Sequence, residues 1–151
     1  LITGRISYML STFGEHLIGE QIESAVTTSA DTIGVTISEY AVGSMMPEKE
    51  GERGGHLYIV EFLQTDVSQK QLDIFGETLD GELIKNNEDY KAHRSEGFGL
   101  HAPAIFAVPP GSFNAWMKKR DQLGGQHKVP RIINDHDLFR NLRSHMGHSS
   151  A

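Results

Sequence analysis

The sequence contains no cysteine among its 151 residues. Disulfide frameworks, zinc–thiolate sites and thiol nucleophiles are therefore excluded, and we expect a cytoplasmic protein. An excess of positive charge is also missing, because the formal net charge is −6. Nucleic acids and anionic membrane surfaces are bound by clustered Lys and Arg side chains, so we expect neither as a partner.

Long apolar runs are also missing. No stretch approaches the roughly 18 consecutive apolar residues of a membrane helix, and no basic-then-apolar leader opens the chain. The first residue is Leu1 rather than Met, and the opening residues already have the pattern of a strand. We therefore expect a piece of a longer protein, with one domain over residues 1–147 and a disordered tail over 148–151.

The spacing of apolar residues predicts an ordered series of strands and helices. Strands are predicted over residues 5–11, 35–42, 57–63 and 102–108, and helices over 15–30 and 65–90. The order strand, helix, strand, strand, helix, strand is the split βαβ, or ferredoxin-like, pattern. Right-handed crossovers then place the first and third strands in the centre of an antiparallel sheet. The sequence thus predicts an α+β fold with a ferredoxin-like core.

Local signals refine this prediction. The third strand, LYIVEFL, is almost wholly apolar, which indicates burial on both faces. Pro103 places the fourth strand at an edge of the sheet. Two further helices are predicted near the C-terminus, one capped by Ser112 and one by Asp135.

Two segments carry candidate functional residues. Residues 4–23 form a strand, a glycine turn and a helix, with Arg5 at the start and Gly14 in the turn. Read alone, this unit has a purely structural explanation, with Arg5 as a surface cation and Gly14 as a residue that tolerates positive φ.

The second segment, GGQHKVPR, spans residues 124–131. Its glycine pair makes the loop adaptable, and Pro130 biases Val129 toward extended geometry. Lys128 thus lies on a short stiff segment beside an adaptable loop, where its ammonium can be delivered to a phosphate or carboxylate whose charge changes during a reaction. The plain alternative is that Lys128 and Arg131 are solvated side chains in a connecting loop.

Together, in this order, the two segments resemble the adenylate-forming enzymes. The likeness is greatest to the plant auxin-responsive acyl-acid amido synthetase family and its bacterial relatives, and we expect a bacterial member. It extends over about residues 4–134 and includes LYIVEF, AIFAVPPGSFNAWM and QHKVPRII.

This resemblance implies a ligase that joins a carboxylic acid to ATP, giving an acyl-adenylate, and then transfers the acyl group to an amino acid. It also implies a larger N-terminal adenylation domain of the same polypeptide, missing from this chain, which binds most of the ATP and Mg²⁺. The present domain would be its mobile C-terminal lid, and we expect it to be inactive in isolation.

The resemblance assigns roles by position. Lys128 matches the catalytic lysine of the adenylation step, and Arg5 matches the hinge-adjacent arginine that orients the domain or contacts the nucleotide. Gly4 stands where many members have a pivot Asp or Lys, and Gly14 is the turn glycine. The context HKVPR, in place of the commoner Gly-Lys, favours the amido synthetases over typical acyl-CoA ligases.

Two further residues are candidates on the acceptor side. His127 adjoins Lys128 and is a candidate to assist deprotonation of an incoming amine; the simpler alternative is a loop histidine without a catalytic role. Glu15 is a candidate contact to the acceptor amine, with a helix-start carboxylate stabilised by the helix dipole as its alternative.

Other kinds of site have weak support. The eight histidines form no HxH or HExxH motif, and the sequence DHD at 135–137 lacks an evident third ligand, so no metal site is expected. No GxxxxGK[ST] or GxGxxG motif is present. Two alternative functions stay open: the C-terminal domain of an acyl-CoA ligase, and a stand-alone ferredoxin-like ligand-binding or regulatory module.

Overall fold

The computed structural model describes residues 9–10, 15–46, 54–95, 99–121 and 129–148. Within them the strands and helices, in chain order, are β1 (Met9–Leu10), β2 (Leu17–Ile18), α1 (Gly19–Ile33), β3 (Ile37–Met45), β4 (Gly55–Phe62), α2 (Gln69–Asn86), α3 (Glu88–Arg94), β5 (Ala104–Val108), α4 (Ser112–Asp121), β6 (Ile132–Ile133) and α5 (His136–Met146). Among these helices, none has the length and apolar character needed to span a membrane.

Capping side chains fix where the helices begin and end. Helix α2 starts at a capping box in which Ser68 Oγ accepts from the Gln71 backbone N–H at 3.1 Å and Gln71 Oε1 accepts from the Ser68 N–H at 2.9 Å. Asn87 is extended, and its Oδ1 accepts from the Tyr90 N–H at 2.8 Å, so it caps α3. The single helix predicted over 65–90 is therefore two helices, divided at Asn87.

The main sheet has four strands in the order β5-β4-β3-β6. Strands β3 and β4 are antiparallel and form a hairpin. Strand β5 is parallel to β4, and β6 is parallel to β3. Helices α2 and α3 form the crossover from β4 to β5, as parallel neighbours require.

The predicted α+β class and the additional C-terminal helices are confirmed. Asp135 caps α5, with its Oδ1 accepting from the Asp137 N–H at 2.9 Å and the Leu138 N–H at 3.1 Å. The fourth predicted strand, β5, lies at an edge as expected.

The predicted ferredoxin-like strand order is wrong for the described residues. Strand β1, the described part of the first predicted strand, pairs with β2 in a separate two-stranded ribbon, and the central strands of the main sheet are β4 and β3. The sheet is also mixed, since only β3 and β4 pair antiparallel within it. Alternating apolar residues predict that a strand forms but carry no information on its partner, and the two residues of β6 are too few to give a periodic signal.

Helices cover both faces of the main sheet. Residues of β4 alternate between two hydrophobic clusters: Tyr58, Val60 and Phe62 belong to the first, with α1 and α2, whereas Leu57 and Ile59 belong to the second, with α4 and α5. All eight residues of β4 are buried, which confirms the predicted burial on both faces. The fold thus has three layers with the sheet in the middle.

Helix α5 packs against the sheet at Gly43 on β3. A Cβ atom built on Gly43 would lie 2.6 Å from the Phe139 ring. Phe139 is buried in the second cluster, so its ring has little room to move away. Helix α5 can therefore pack against β3 at this position because Gly43 has no side chain.

We expect Gly43→Ala to lower the free energy of unfolding by about 1–3 kcal/mol, because an added methyl group overpacks this contact. The measurement is denaturant unfolding of the 151-residue chain. Gly81→Ala is the matched control: Gly81 lies inside α2 with nothing within 4 Å of its added Cβ, and alanine there favours the helix by up to about 1 kcal/mol. Equal stabilities for the two variants would contradict the proposed close contact.

Candidate functional site

Most of the sequence-predicted site residues lie outside the described part of the chain. These are Gly4, Arg5, Gly14, His127 and Lys128. Glu15 is described, and so is the chain that follows Lys128 from Val129 onward. The structure therefore describes the residues that follow Lys128 and their contacts with the sheet.

The chain directly after Lys128 is fastened to the sheet. Val129 packs against the second hydrophobic cluster. The Arg131 carbonyl accepts from the Val42 N–H at 2.8 Å, and β6 then pairs with β3 at Val42 and Gly43. One end of the segment that carries Lys128 thus has a fixed position beside the middle of β3.

The Arg131 side chain adds a second fastening. Its Nε donates to Glu39 Oε1 on β3, and its Nη1 donates to Glu23 Oε1 on α1, both at 2.8 Å. Its guanidinium lies 5.0 Å from the centre of the Tyr40 ring, and the Tyr40 hydroxyl donates to the same Glu23 oxygen at 2.8 Å. We call these four residues the Arg131 network.

The network is partly exposed, so its individual ion pairs contribute little to stability. The network instead fixes the position of Arg131, because a planar guanidinium held by two carboxylates and an aromatic face has few alternative positions. Burial, followed by the hydrogen bond to Glu23, raises the pKa of Tyr40, which keeps its hydroxyl protonated as a donor. The alternative of a freely solvated Arg131 in a connecting loop is thereby excluded.

Two of the segments that carry the family resemblance meet at a buried carboxylate. Glu61 belongs to LYIVEF on β4 and is 5% exposed. Its Oε1 accepts from the backbone N–H of Phe113 at 2.8 Å, at the start of α4 in PPGSFNAWM. A carboxylate at a helix N-terminus satisfies a free N–H and is stabilised by the helix dipole. Glu61 therefore sets the position of α4 on the sheet.

Glu15 lies in a second buried polar group on the opposite face of the sheet. Its Oε2 is 2.5 Å from His56 Nε2, and both side chains are almost fully buried. The His56 ring stacks on Tyr90 with centroids 6.2 Å apart, and His56 pairs in register with Ser44 on β3. This carboxylate–imidazole contact joins the segment before β2 to the hairpin end of the sheet.

The position of Glu15 shows that one of its two predicted roles, a carboxylate at the start of a helix, is wrong. Helix α1 begins at Gly19, so Glu15 precedes β2 and is not a helix-start carboxylate. Its contact to an acceptor amine stays a prediction. The burial of Glu15 was not visible from sequence, because a single carboxylate between a glycine and a histidine gives no periodic signal.

No group of three or more His, Asp or Glu residues that could hold a metal ion occurs in the described ranges. Asp135 is occupied as the cap of α5, and Asp137 forms an ion pair with Arg140 at 2.9 Å. The described residues therefore provide no Mg²⁺ site.

Comparison with solved structures shows which proteins share this fold. The structure "AtGH3.15 acyl acid amido synthetase in complex with 2,4-DB" matches with a TM-score of 0.73 and 15% identity, over 91% of this chain and 25% of that one. A second, "GH3.15 acyl acid amido synthetase", matches with a TM-score of 0.70 and 15% identity, over 85% of this chain and 24% of that one. The shared feature is the fold, and this chain spans about a quarter of the length of those proteins.

The family follows from sequence. A model of the GH3 family C-terminal domain matches residues 20–137, and the chain belongs to this family. No curated protein matches the sequence. The resemblance to acyl-acid amido synthetases that the sequence motifs indicated is confirmed by the family match and by the fold.

We expect Glu61→Ala to lower the free energy of unfolding by about 1–3 kcal/mol, because it leaves the buried Phe113 N–H without an acceptor. Glu61→Gln keeps an acceptor oxygen and should cost less. Thermal or denaturant unfolding of the chain measures both. Glu77→Ala, at an exposed position of α2, is the control, and a Glu61→Ala protein as stable as that control would refute the proposed anchoring of α4.

Proposed function

We propose that this chain is the mobile C-terminal domain of an ATP-dependent acyl-acid amido synthetase. The whole enzyme forms an acyl-adenylate from a carboxylic acid and ATP, and then transfers the acyl group to an amino acid. The observation that carries this proposal is the match of residues 20–137 to the GH3 family C-terminal domain. The fold shared with acyl acid amido synthetases supports it.

The partner in this proposal is an N-terminal adenylation domain of the same polypeptide. The matched synthetases are about four times as long as the region that this chain covers. The larger domain would bind the carboxylic acid and ATP with its Mg²⁺, and residues Gly4, Arg5 and Gly14 would form the hinge-side part of the smaller one. The isolated C-terminal domain is then inactive, because it supplies only part of the site.

Lys128 is the proposed catalytic residue of the first half-reaction. A carboxylate oxygen attacks the α-phosphorus of ATP, the bond from that phosphorus to the bridging oxygen breaks, and pyrophosphate leaves. Negative charge accumulates at the phosphorus centre as this happens, and a lysine ammonium placed there stabilises it. The anchoring of Val129 and Arg131 to the sheet supports this role, because it limits where the preceding residue can lie.

In the second half-reaction the amino-acid nitrogen attacks the acyl carbon, the carbon–oxygen bond to AMP breaks, and the nitrogen loses a proton. His127, adjacent to Lys128 in sequence, is the proposed acceptor of that proton. Glu15 is the other proposed acceptor-side residue.

The proposed function predicts the products of the full-length enzyme. We expect ATP–pyrophosphate exchange that depends on a carboxylic acid, and formation of an amide and AMP when an amino acid is added. Product analysis by mass spectrometry, with amino acids and coenzyme A as competing acceptors, measures the outcome. Thioester formation without amide would contradict the amido synthetase assignment and favour an acyl-CoA ligase.

A single substitution tests the catalytic residue. We expect Lys128→Ala in the full-length enzyme to slow carboxylate-dependent pyrophosphate exchange on the order of 10²-fold or more, as for loss of a charge contact made in the transition state. Lys85→Ala is the control, since Lys85 is an exposed lysine on α2. Unchanged exchange in Lys128→Ala would refute the role of this lysine and leave the family assignment intact.

A further inference from the structure

Helices α4 and α5 border a groove of about 410 Å³ on the second face of the sheet. Its lining consists of Trp116, Lys119, Arg120, Asn141, Ser144 and His145. None of these side chains is acidic, although the chain as a whole carries a net charge of −6. The fully charged side chains of the groove are therefore all basic, in contrast to the acidic chain as a whole.

The two parts of the sequence also differ in charge. Residues 112–151 contain seven Lys and Arg against three Asp and Glu, whereas residues 1–111 contain seven against seventeen. Positive charge is thus concentrated in the part of the chain that forms α4 and α5. A local excess of this kind attracts anions even when the whole protein is acidic.

The two full cations of the groove, Lys119 and Arg120, form no ion pair with any carboxylate whose side chain the structure describes. Arg120 is half-buried, and its guanidinium lies 4.8 Å from the centre of the Trp116 ring. This cation–π contact holds the guanidinium in place without neutralising its charge. Arg140 on α5 is different, because it is paired with Asp137 at 2.9 Å.

The neutral side chains of the groove also present donors. The Trp116 indole N–H donates to Asn141 Oδ1 at 2.9 Å. An indole nitrogen only donates, so the oxygen of Asn141 must face Trp116 and its NH₂ group points elsewhere. Among the described residues no hydrogen-bond partner of that NH₂ group is found, and the side chain of Ser144 also lines the groove.

We propose that the α4–α5 groove binds a small, multiply charged oxyanion that carries phosphate or carboxylate groups. Arg120 and Lys119 supply the charge, and the Asn141 NH₂ group and the Ser144 hydroxyl supply neutral donors. A guanidinium already held against an indole loses little freedom on binding, and its planar fork matches both kinds of oxyanion. This binding goes beyond the proposed amido synthetase function and requires neither Lys128 nor the N-terminal domain.

The groove contains its own spectroscopic reporter, since Trp116 is the single tryptophan of the chain. We would record the indole N–H of Trp116 and the side-chain NH₂ of Asn141 by ¹⁵N NMR on the 151-residue chain. Pyrophosphate and citrate would be titrated separately at constant ionic strength. The expected result is a saturable shift of both signals with at least one of the two anions.

Substitutions assign the binding to the groove. Arg120→Gln should weaken the affinity at least about tenfold, as expected for loss of a charged hydrogen-bonding partner, and Lys119→Gln should weaken it in the same direction. Lys85→Gln on α2 has the same charge change at an exposed site and should leave the affinity unchanged. If Arg120→Gln unfolds, which thermal unfolding would reveal, Lys119→Gln alone carries the comparison.

The titrations distinguish the two ligand sources. Binding of pyrophosphate alone identifies phosphate, binding of citrate alone identifies carboxylate, and binding of both identifies charge as the main determinant. The proposal is overturned if neither anion gives a saturable shift at millimolar concentration, if sodium chloride reproduces the shift, or if Lys119→Gln and Lys85→Gln bind with equal affinity.

Discussion

The structure depends on burying strand β4 on both of its faces. A strand in that position must place its backbone groups in hydrogen bonds on both sides, because no water reaches them. Strand β3 supplies these partners through the hairpin, and β5 supplies them after the α2–α3 crossover. Side chains then alternate into two hydrophobic clusters, which require helices on both faces. The three-layer arrangement follows from one apolar strand.

A carboxylate inside such a strand needs a partner of its own. Glu61 finds it in the backbone N–H at the start of α4, so the most buried strand determines where that helix begins. The chain after α4 returns to the sheet at Val129 and β6, and the Arg131 network fastens it there. The chain is therefore fixed on both sides of residues 122–128, by α4 before them and by β6 after them, and this fits the role proposed for Lys128.

Local signals in the sequence predicted local features of the fold. The apolar run LYIVEFL predicted a strand buried on both faces, Pro103 an edge strand, and Asp135 a helix cap, and the structure confirms all three. Strand order was not predictable in the same way, since the partner of β1 and the position of β6 depend on distant residues. For the candidate site, the family resemblance suggested Lys128, and that assignment stays a prediction. The fastening through Arg131 depends on carboxylates about 90 and 110 residues away in sequence, which no local pattern reveals.

The cations of the α4–α5 groove are compatible with a stable fold. Lys119 and Arg120 lie in the last turn of α4, and His145 lies in the last turn of α5. The negative end of a helix dipole stabilises cations at these positions, so they need no carboxylate nearby. The same dipoles oppose an incoming anion, and attraction must therefore come from the side chains of two helices acting together. A surface whose cations served only the dipoles would not need a guanidinium held against an indole and an amide turned to donate, and these two features make the groove complementary to an oxyanion.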